Sequence, residues 1–314
     1  MWLYLVRRIG LAIAIVAVAV TMLFTMIHLV PGDPASILLG PRATPEIREA
    51  LRIRMGLDET FIVQVGTFFM NVLTGDLGMD IVRNQPVSRI VLGHLPHTVA
   101  LVLTSIGWAA VVGLPLGCFS AIRRDSVADK LIAISSVSFI AIPYFVVSIY
   151  ALLIFAVSLQ WFPAIGVGEP GNIASQARHL VLPAFAVGLS WVGYIARMVR
   201  ASMLEVLGEN HIRTARAFGL SEWRITFRYA LPIAVLPTVT ILGVGIGYLI
   251  SSAVFAEIVF SRPGIGSLIY EAVGQRNYPL VMGGVLVTTA LFVVSTTLAD
   301  LINAALDPRS REKL

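Results

Sequence analysis

Metal ligands, nucleophiles, phosphate-binding loops and buried charges each need particular residue types at particular spacings, and this 314-residue chain offers few of them. His94 and His97 lie three apart, a spacing that would present two imidazoles to a metal from one helix face. Pro96 between them marks a helix start, so they read as polar termini of a span, and no metal site is assigned. A loop of the form Gly-x-x-x-x-Gly-Lys-Ser/Thr would cradle phosphate, but no glycine in the sequence is followed by lysine. His-Glu-x-x-His and Gly-x-Ser-x-Gly are missing as well, and Cys118 has no second cysteine to pair with. The long apolar stretches contain His28 near one end and almost nothing else ionisable, which leaves no mid-membrane relay for proton or ion coupling. The residues indicate no cofactor and no catalytic centre. The chemistry they leave room for is mechanical.

One polar segment, residues 205–229, interrupts the apolar stretches at a length suited to a docking element. Within it Arg213, Thr214, Ala215, Arg216, Ala217, Phe218, Gly219, Leu220 and Ser221 follow each other as helix, glycine stop and serine restart. Glycine just past a helix supplies left-handed backbone without a Cβ penalty, and Ser221 before Glu222 is a natural N-cap. Ala215 and Ala217 keep the first helix slim near the bend, while Arg213, Arg216, Arg224 and Arg228 surround it with positive charge. Such a knob suits a groove on a soluble partner. A solvated loop whose arginines only enforce topology is the simpler alternative.

The elements that position this segment follow from composition. Hydrophobic residues make up 57% of the chain and charged residues 13%, with a mean hydropathy of +0.85, far from the roughly one quarter charged of a soluble domain. The hydrocarbon layer, about 30 Å thick, needs roughly 20 apolar residues as helix, and lipid offers no partner for free backbone groups. Six runs meet that requirement: residues 9–30, 98–122, 131–157, 180–196, 230–256 and 278–299. The chain is therefore expected to be an all-α integral membrane protein with six transmembrane helices. The fourth run is short and carries Pro183, Gly188 and Gly193, so it is expected inside the bundle.

Charge orients the spans. If the N-terminus lies in the cytoplasm, that side receives Arg7, Arg8, Arg123, Arg124, Lys130, Arg197, Arg200, Arg213, Arg216, Arg224, Arg228, Arg309, Arg311 and Lys313, which is most of the basic residues. Both termini and the 205–229 segment are then cytoplasmic. Because the cations line one membrane face, the pI of about 9.7 calls for no nucleic-acid partner. Residues 31–97 form an extracytoplasmic segment with two expected helices. One starts at Thr44-Pro45-Glu46 with its body at 48–55; the other covers 59–73, and its apolar stripe Phe61, Val65, Phe68, Phe69 and Val72 is expected to be covered by the bundle. Trp161, Phe162 and Pro163 suit interfacial anchors, and the turn-rich stretch 257–279 suits either a gate or a surface turn.

The 213–232 region resembles the cytoplasmic signature loop of ATP-binding-cassette importer permeases, which runs Glu-Ala-Ala, three residues, Gly, nine residues, Ile, one residue, Leu-Pro. Ala215, Gly219, Leu231 and Pro232 stand at its positions, whereas Arg213, Thr214 and Tyr229 depart from it. The form Arg-Thr-Ala-Arg-Ala-x-Gly-Leu-Ser is more similar to the peptide and nickel branch of that family, although Phe218 stands where the branch often has lysine. Similar to the branch too are Pro31-Gly32-Asp33-Pro34, Gly75-Asp76-Leu77-Gly78, Phe260 to Gly266, Arg276-Asn277-Tyr278-Pro279 and Leu306-Asp307-Pro308-Arg309.

The resemblance implies the type I importer permease fold in a bacterial inner membrane: an N-terminal transmembrane helix (1–30), an extracytoplasmic helical segment (31–97) and a five-helix core (98–314) with an ATPase-coupling loop at 203–230. It implies a pathway for peptides or similar small solutes. The implied partners are a second, related permease subunit, two cytoplasmic ATP-binding subunits and an extracytoplasmic substrate-binding protein. The residues alone also admit a self-sufficient channel or secondary transporter, against which the lack of buried charge counts. A structural subunit of a redox enzyme would need cofactor ligands, and none is visible.

Overall fold

A computed structural model describes residues 2–29, 44–54, 58–80 and 82–306. The motif at 31–34 and the C-terminal residues from 307 onward, with Arg309, Arg311 and Lys313, lie outside them. The chain forms two compact units, Met1–Thr98 with Pro263–Val293 and Val99–Arg262 with Val294–Leu314.

The first unit begins with α1 (Trp2–Leu29), which is followed by α2 (Pro45–Arg54) and α3 (Phe61–Leu73). Thr44 Oγ1 accepts from the Ile47 amide at 3.4 Å at the start of α2, and Met55 falls outside the described residues. Phe61, Val65, Phe68, Phe69 and Val72 form the half-buried face of α3, with Phe68 meeting Phe24 of α1 edge to face at 5.7 Å. The cover is thin: no residue of α3 is fully buried within this chain. The helix α4 (Val87–Ile122) starts eleven residues earlier than its expected bound at 98, so Pro96 lies inside it. Pro96 therefore does not mark a helix start, and His94 turns Nδ1 back to the Ile90 carbonyl at 2.8 Å. Membrane helices tolerate an interior proline because neighbouring groups re-satisfy the freed backbone.

Two motifs distant in sequence meet in this unit. Asp80 is buried, accepts from the amides of Val82 at 2.8 Å and Arg83 at 3.3 Å, and receives the Asn277 side-chain amide. Gly78 has φ +85°, and a Cβ built on it would lie 3.7 Å from the Cβ of Pro279. The stretch 257–279 is not all turn, since α12 (Ile265–Gly274) lies within it and buries Ile265, Leu268 and Ala272 against Val87, Ile90 and Val91. Its first amide donates to Thr98 Oγ1 at 2.9 Å.

In the second unit the expected third span is broken. The helices α5 (Val127–Ala141) and α6 (Tyr144–Ala151, continued as a π-helix over Leu152–Ser158) meet at 98°. Pro143 supplies the reason: it forces the preceding Ile142 into extended backbone, ψ 123°, and offers no N–H to continue the helix. An uninterrupted apolar run concealed this bend. The fourth run is longer than its apolar centre: α7 (Ile173–Leu207) buries Pro183, Gly188, Gly193 and ten further residues, and is the core of this unit. After α8 (Asn210–Ala217) and the single turn α9 (Glu222–Arg224) comes a second π segment, Ile225–Ala230. The turn α10 (Leu231–Ala234) precedes α11 (Leu236–Val259), where Pro237 breaks continuity. The last helix is α13 (Tyr278–Leu306). Among the described residues, five helices are long and apolar enough to cross a bilayer, or six when the bent pair counts as one span.

Candidate coupling site

The segment after α7 is an elbow built on its own backbone. Helix α8 ends at Ala217 with Phe218 as its C-cap, and Gly219 follows at φ +75°. The Gly219 amide donates to the Arg216 carbonyl at 2.9 Å and the Leu220 amide to the Ala215 carbonyl at 3.3 Å. This pairing is a Schellman closure, which satisfies the last carbonyls of the helix and requires a left-handed residue at the glycine position. Ser221 then takes extended N-cap backbone, φ −64° and ψ 145°, and its carbonyl accepts from the Ile225 amide at 3.0 Å. Its side chain makes no capping bond, contrary to the expectation from sequence; three residues into the restart the chain passes into the π segment instead of a regular α-helix.

One face of the elbow belongs to the membrane unit. Ile212 and Ala215 of α8 are buried with Val199, Met203 and Val206 of α7 and with Ile225, Ala230 and Ala234 beyond the bend, and Leu220 and Leu231 pack against that cluster. Ala215 is small because it lies against this core. The other face is open: Arg213, Thr214, Arg216, Ala217, Phe218, Gly219, Ser221 and Pro232 are exposed. The Phe218 ring, at 81% exposure, stands beside the bend, and Trp223, at 73%, lies 4.0 Å from Phe227 between ring centroids. Thr214 Oγ1 donates back to the Asn210 carbonyl at 3.0 Å.

The positive charge at the bend is smaller than the residue types suggest. Arg216 grips Glu222 across the turn, Nε to Oε1 at 2.8 Å and Nη2 to Oε2 at 3.2 Å, leaving Arg213, Arg224 and Arg228 as the cations there. This fork holds the Glu222 carboxyl below its ordinary pKa and the Arg216 guanidinium above its own. Sequence reasoning missed the pair because the residues are six apart, a spacing that meets only when a glycine folds the chain between them. Phe218 was expected on this surface from its place in the motif, whereas Trp223 was missed because an apolar residue in an apolar sequence carries no signal. What the arrangement can do is present a bent, partly aromatic knob on an element whose rear is fixed to α7, the most buried of the long helices.

Helices of this number, length and apolarity define a multi-pass membrane protein, and the comparisons with known proteins say of which kind. Residues 113–312 match the profile of the "Binding-protein-dependent transport system inner membrane component" family, and residues 1–102 match its N-terminal counterpart, "Binding-prot-dependent transport system membrane comp, N-term". A dipeptide transport system permease protein, DppB, of Alkalihalophilus pseudofirmus is 34% identical over 98% of both chains. A glutathione transport system permease protein, GsiC, of Shigella flexneri is 31% identical over 99% of both. Inward-facing structures of the MetNI methionine ABC transporter share the fold, with TM-scores of 0.53 and 0.56 at 20% identity over 69% of this chain and 96% of theirs.

The chain is thus a membrane-spanning permease subunit of an ATP-binding-cassette importer. It belongs to the binding-protein-dependent transport system inner membrane component family. ATP hydrolysis in this family resides in separate subunits, and delivery in a substrate-binding protein.

Proposed function

We propose that this chain forms half of the translocation pathway of a peptide importer and that residues 213–221, with Leu231 and Pro232, are its ATPase-coupling loop. The observation that carries the reading is the Schellman-closed elbow, exposed on one face and fused on the other to the core around α7. Closure of an ATPase dimer displaces α8, the core cluster passes the displacement to α7, and the bundle changes between inward- and outward-facing states. Such switching needs two discrete packings of the same helices. The second permease is a related subunit, and both termini and the elbow face the cytoplasm, a reading supported by the excess of arginine and lysine that this orientation places on that side. Peptides, or glutathione-like thiol peptides, are the solutes most consistent with the names of its relatives.

The test is a thiol cross-link. Cys118 is the sole cysteine and is buried, so Cys118→Ala gives a silent background. In that background Thr214→Cys, exposed beside the bend, should cross-link to the ATPase subunit of the assembled importer and react with impermeant maleimide from the cytoplasmic side alone. Labelling from the outside, or no cross-link in an assembled, active complex, refutes the assignment.

A further inference from the structure

The elbow can act on the pathway only if the helices behind it move as one piece. Close approach supplies part of that rigidity: a Cβ on Gly117 of α4 would meet the Ala196 carbonyl oxygen of α7 at 2.5 Å, and one on Gly193 of α7 would collide with Ser136 of α5. Such contacts resist compression, but they let helices slide along each other. A directional connection lies nearer the elbow. Arg200, about two turns before α7 ends at Leu207, forks onto Asp129 of α5 with Nε to Oδ1 at 2.6 Å and Nη2 to Oδ2 at 2.7 Å. The same carboxylate takes the Ser120 hydroxyl of α4 and, at 2.9 Å, the Asp125 amide of the connecting turn. Asp129 also lies in the first turn of its own helix, where its amide donates to the Oγ of the N-cap Ser126 at 3.2 Å.

The junction is dry on one side. The Asp129 side chain is 5% exposed and that of Arg200 31%. The turn that delivers it is tight, with Asp125 at φ +64°, a left-handed conformation that aspartate tolerates. Charge-assisted forked bonds are among the most geometrically demanding in proteins, and a carboxylate on α5 that is engaged from α4, from α7 and from the connecting turn fixes the relative height of the three helices as well as their separation.

We propose that Ser120, Asp129 and Arg200 are positioning residues for energy coupling: they gear α4 and α5 to α7, so that a displacement of α8 moves three helices together and is not lost in sliding. This rests on the reading of the elbow as the ATPase-coupling loop.

The test uses the importer assembled with its own partner subunits in proteoliposomes. Uptake of radiolabelled dialanine, or of glutathione where dialanine is not carried, is measured together with ATP hydrolysis and the Thr214→Cys cross-link in the Cys118→Ala background. Arg200→Lys keeps the charge and loses the fork. It should lower solute moved per ATP by about tenfold, while ATP hydrolysis and the cross-link stay at the level of the unsubstituted protein. Ser120→Ala, which leaves the ion pair in place, should lower the same ratio by about threefold. An unchanged ratio in Arg200→Lys overturns the proposal, and so does a proportional loss of uptake and hydrolysis, which is what a purely structural role gives. Where Arg200→Lys fails to assemble, Ser120→Ala decides by the same ratio. A missing cross-link in the otherwise unsubstituted importer instead removes the elbow reading, and the gearing falls with it.

Discussion

Gly219 separates a strain-based account of the elbow from a purely steric one. Its φ is +75°, and a Cβ built there finds nothing within 4 Å, so a side chain's first atom is felt through backbone conformation and not through a clash. Left-handed backbone costs an ordinary L-residue about 1–2 kcal/mol and asparagine less, because its short polar side chain bonds locally. A β-branched residue is worse still in that region. Free energies of this size change a conformational population by roughly 5- to 30-fold. Because the Schellman bonds at 2.9 and 3.3 Å exist only in this geometry, the population at stake is that of the closed elbow. ATP-driven uptake and binding-protein-stimulated ATPase activity of the reconstituted importer should therefore fall in the order Gly219→Asn, Gly219→Ala, Gly219→Val. The asparagine variant should stay near the unsubstituted protein and the valine variant should lose about tenfold or more. Full coupling in Gly219→Val refutes the reasoning. Equal damage by asparagine and valine refutes it too, since that pattern would mean a crowded partner interface in place of intrinsic strain.

Three further outcomes follow from the geometry. Because Arg216 lowers the folded-state pKa of Glu222, the pair's contribution is complete above the ordinary carboxylate range and is lost as pH falls through the depressed value; coupling measured from neutral down to mildly acidic pH should be flat, and Glu222→Gln should weaken it at every pH. A slope in that range that Glu222→Gln abolishes contradicts the assignment. Gly117→Ala places a methyl group 2.5 Å from the Ala196 carbonyl oxygen, and overpacking of this kind costs about 1–3 kcal/mol; a lowered midpoint of thermal unfolding in detergent is expected, and an unchanged one shows that α4 and α7 can part freely. Asp80→Ala strips the Asn277 amide and two backbone amides of their acceptor, each loss being worth about 1–3 kcal/mol when buried, so the variant should unfold at markedly lower temperature while Asp76→Ala, at an exposed turn, should not.

Much of this molecule was legible before folding because lipid simplifies the problem. A backbone in hydrocarbon must be helical, so charge-free length alone located the spans, and the glycine of the elbow announced a left-handed stop by its position after a helical run. Local chemistry of that kind is written in neighbouring residues. What neighbours could not reveal was where apolar runs bend or join. The break at Pro143 lies within a stretch of uniform hydropathy, and the proline signal is ambiguous there, since Pro96 and Pro183 sit inside continuous helices of the same protein. Nor could sequence pair Asp129 with Arg200, 71 residues apart, Asp80 with Asn277, 197 apart, or Arg216 with Glu222 across a reversed chain. Composition and local pattern determined that the chain spans a membrane and where it carries a bent polar knob; only tertiary structure decided which charges are neutralised, which helix is buried, and what the knob is fastened to. The physical reason is that helix formation depends on a few adjacent residues, whereas a buried charge acquires its role from the partner that packing brings to it.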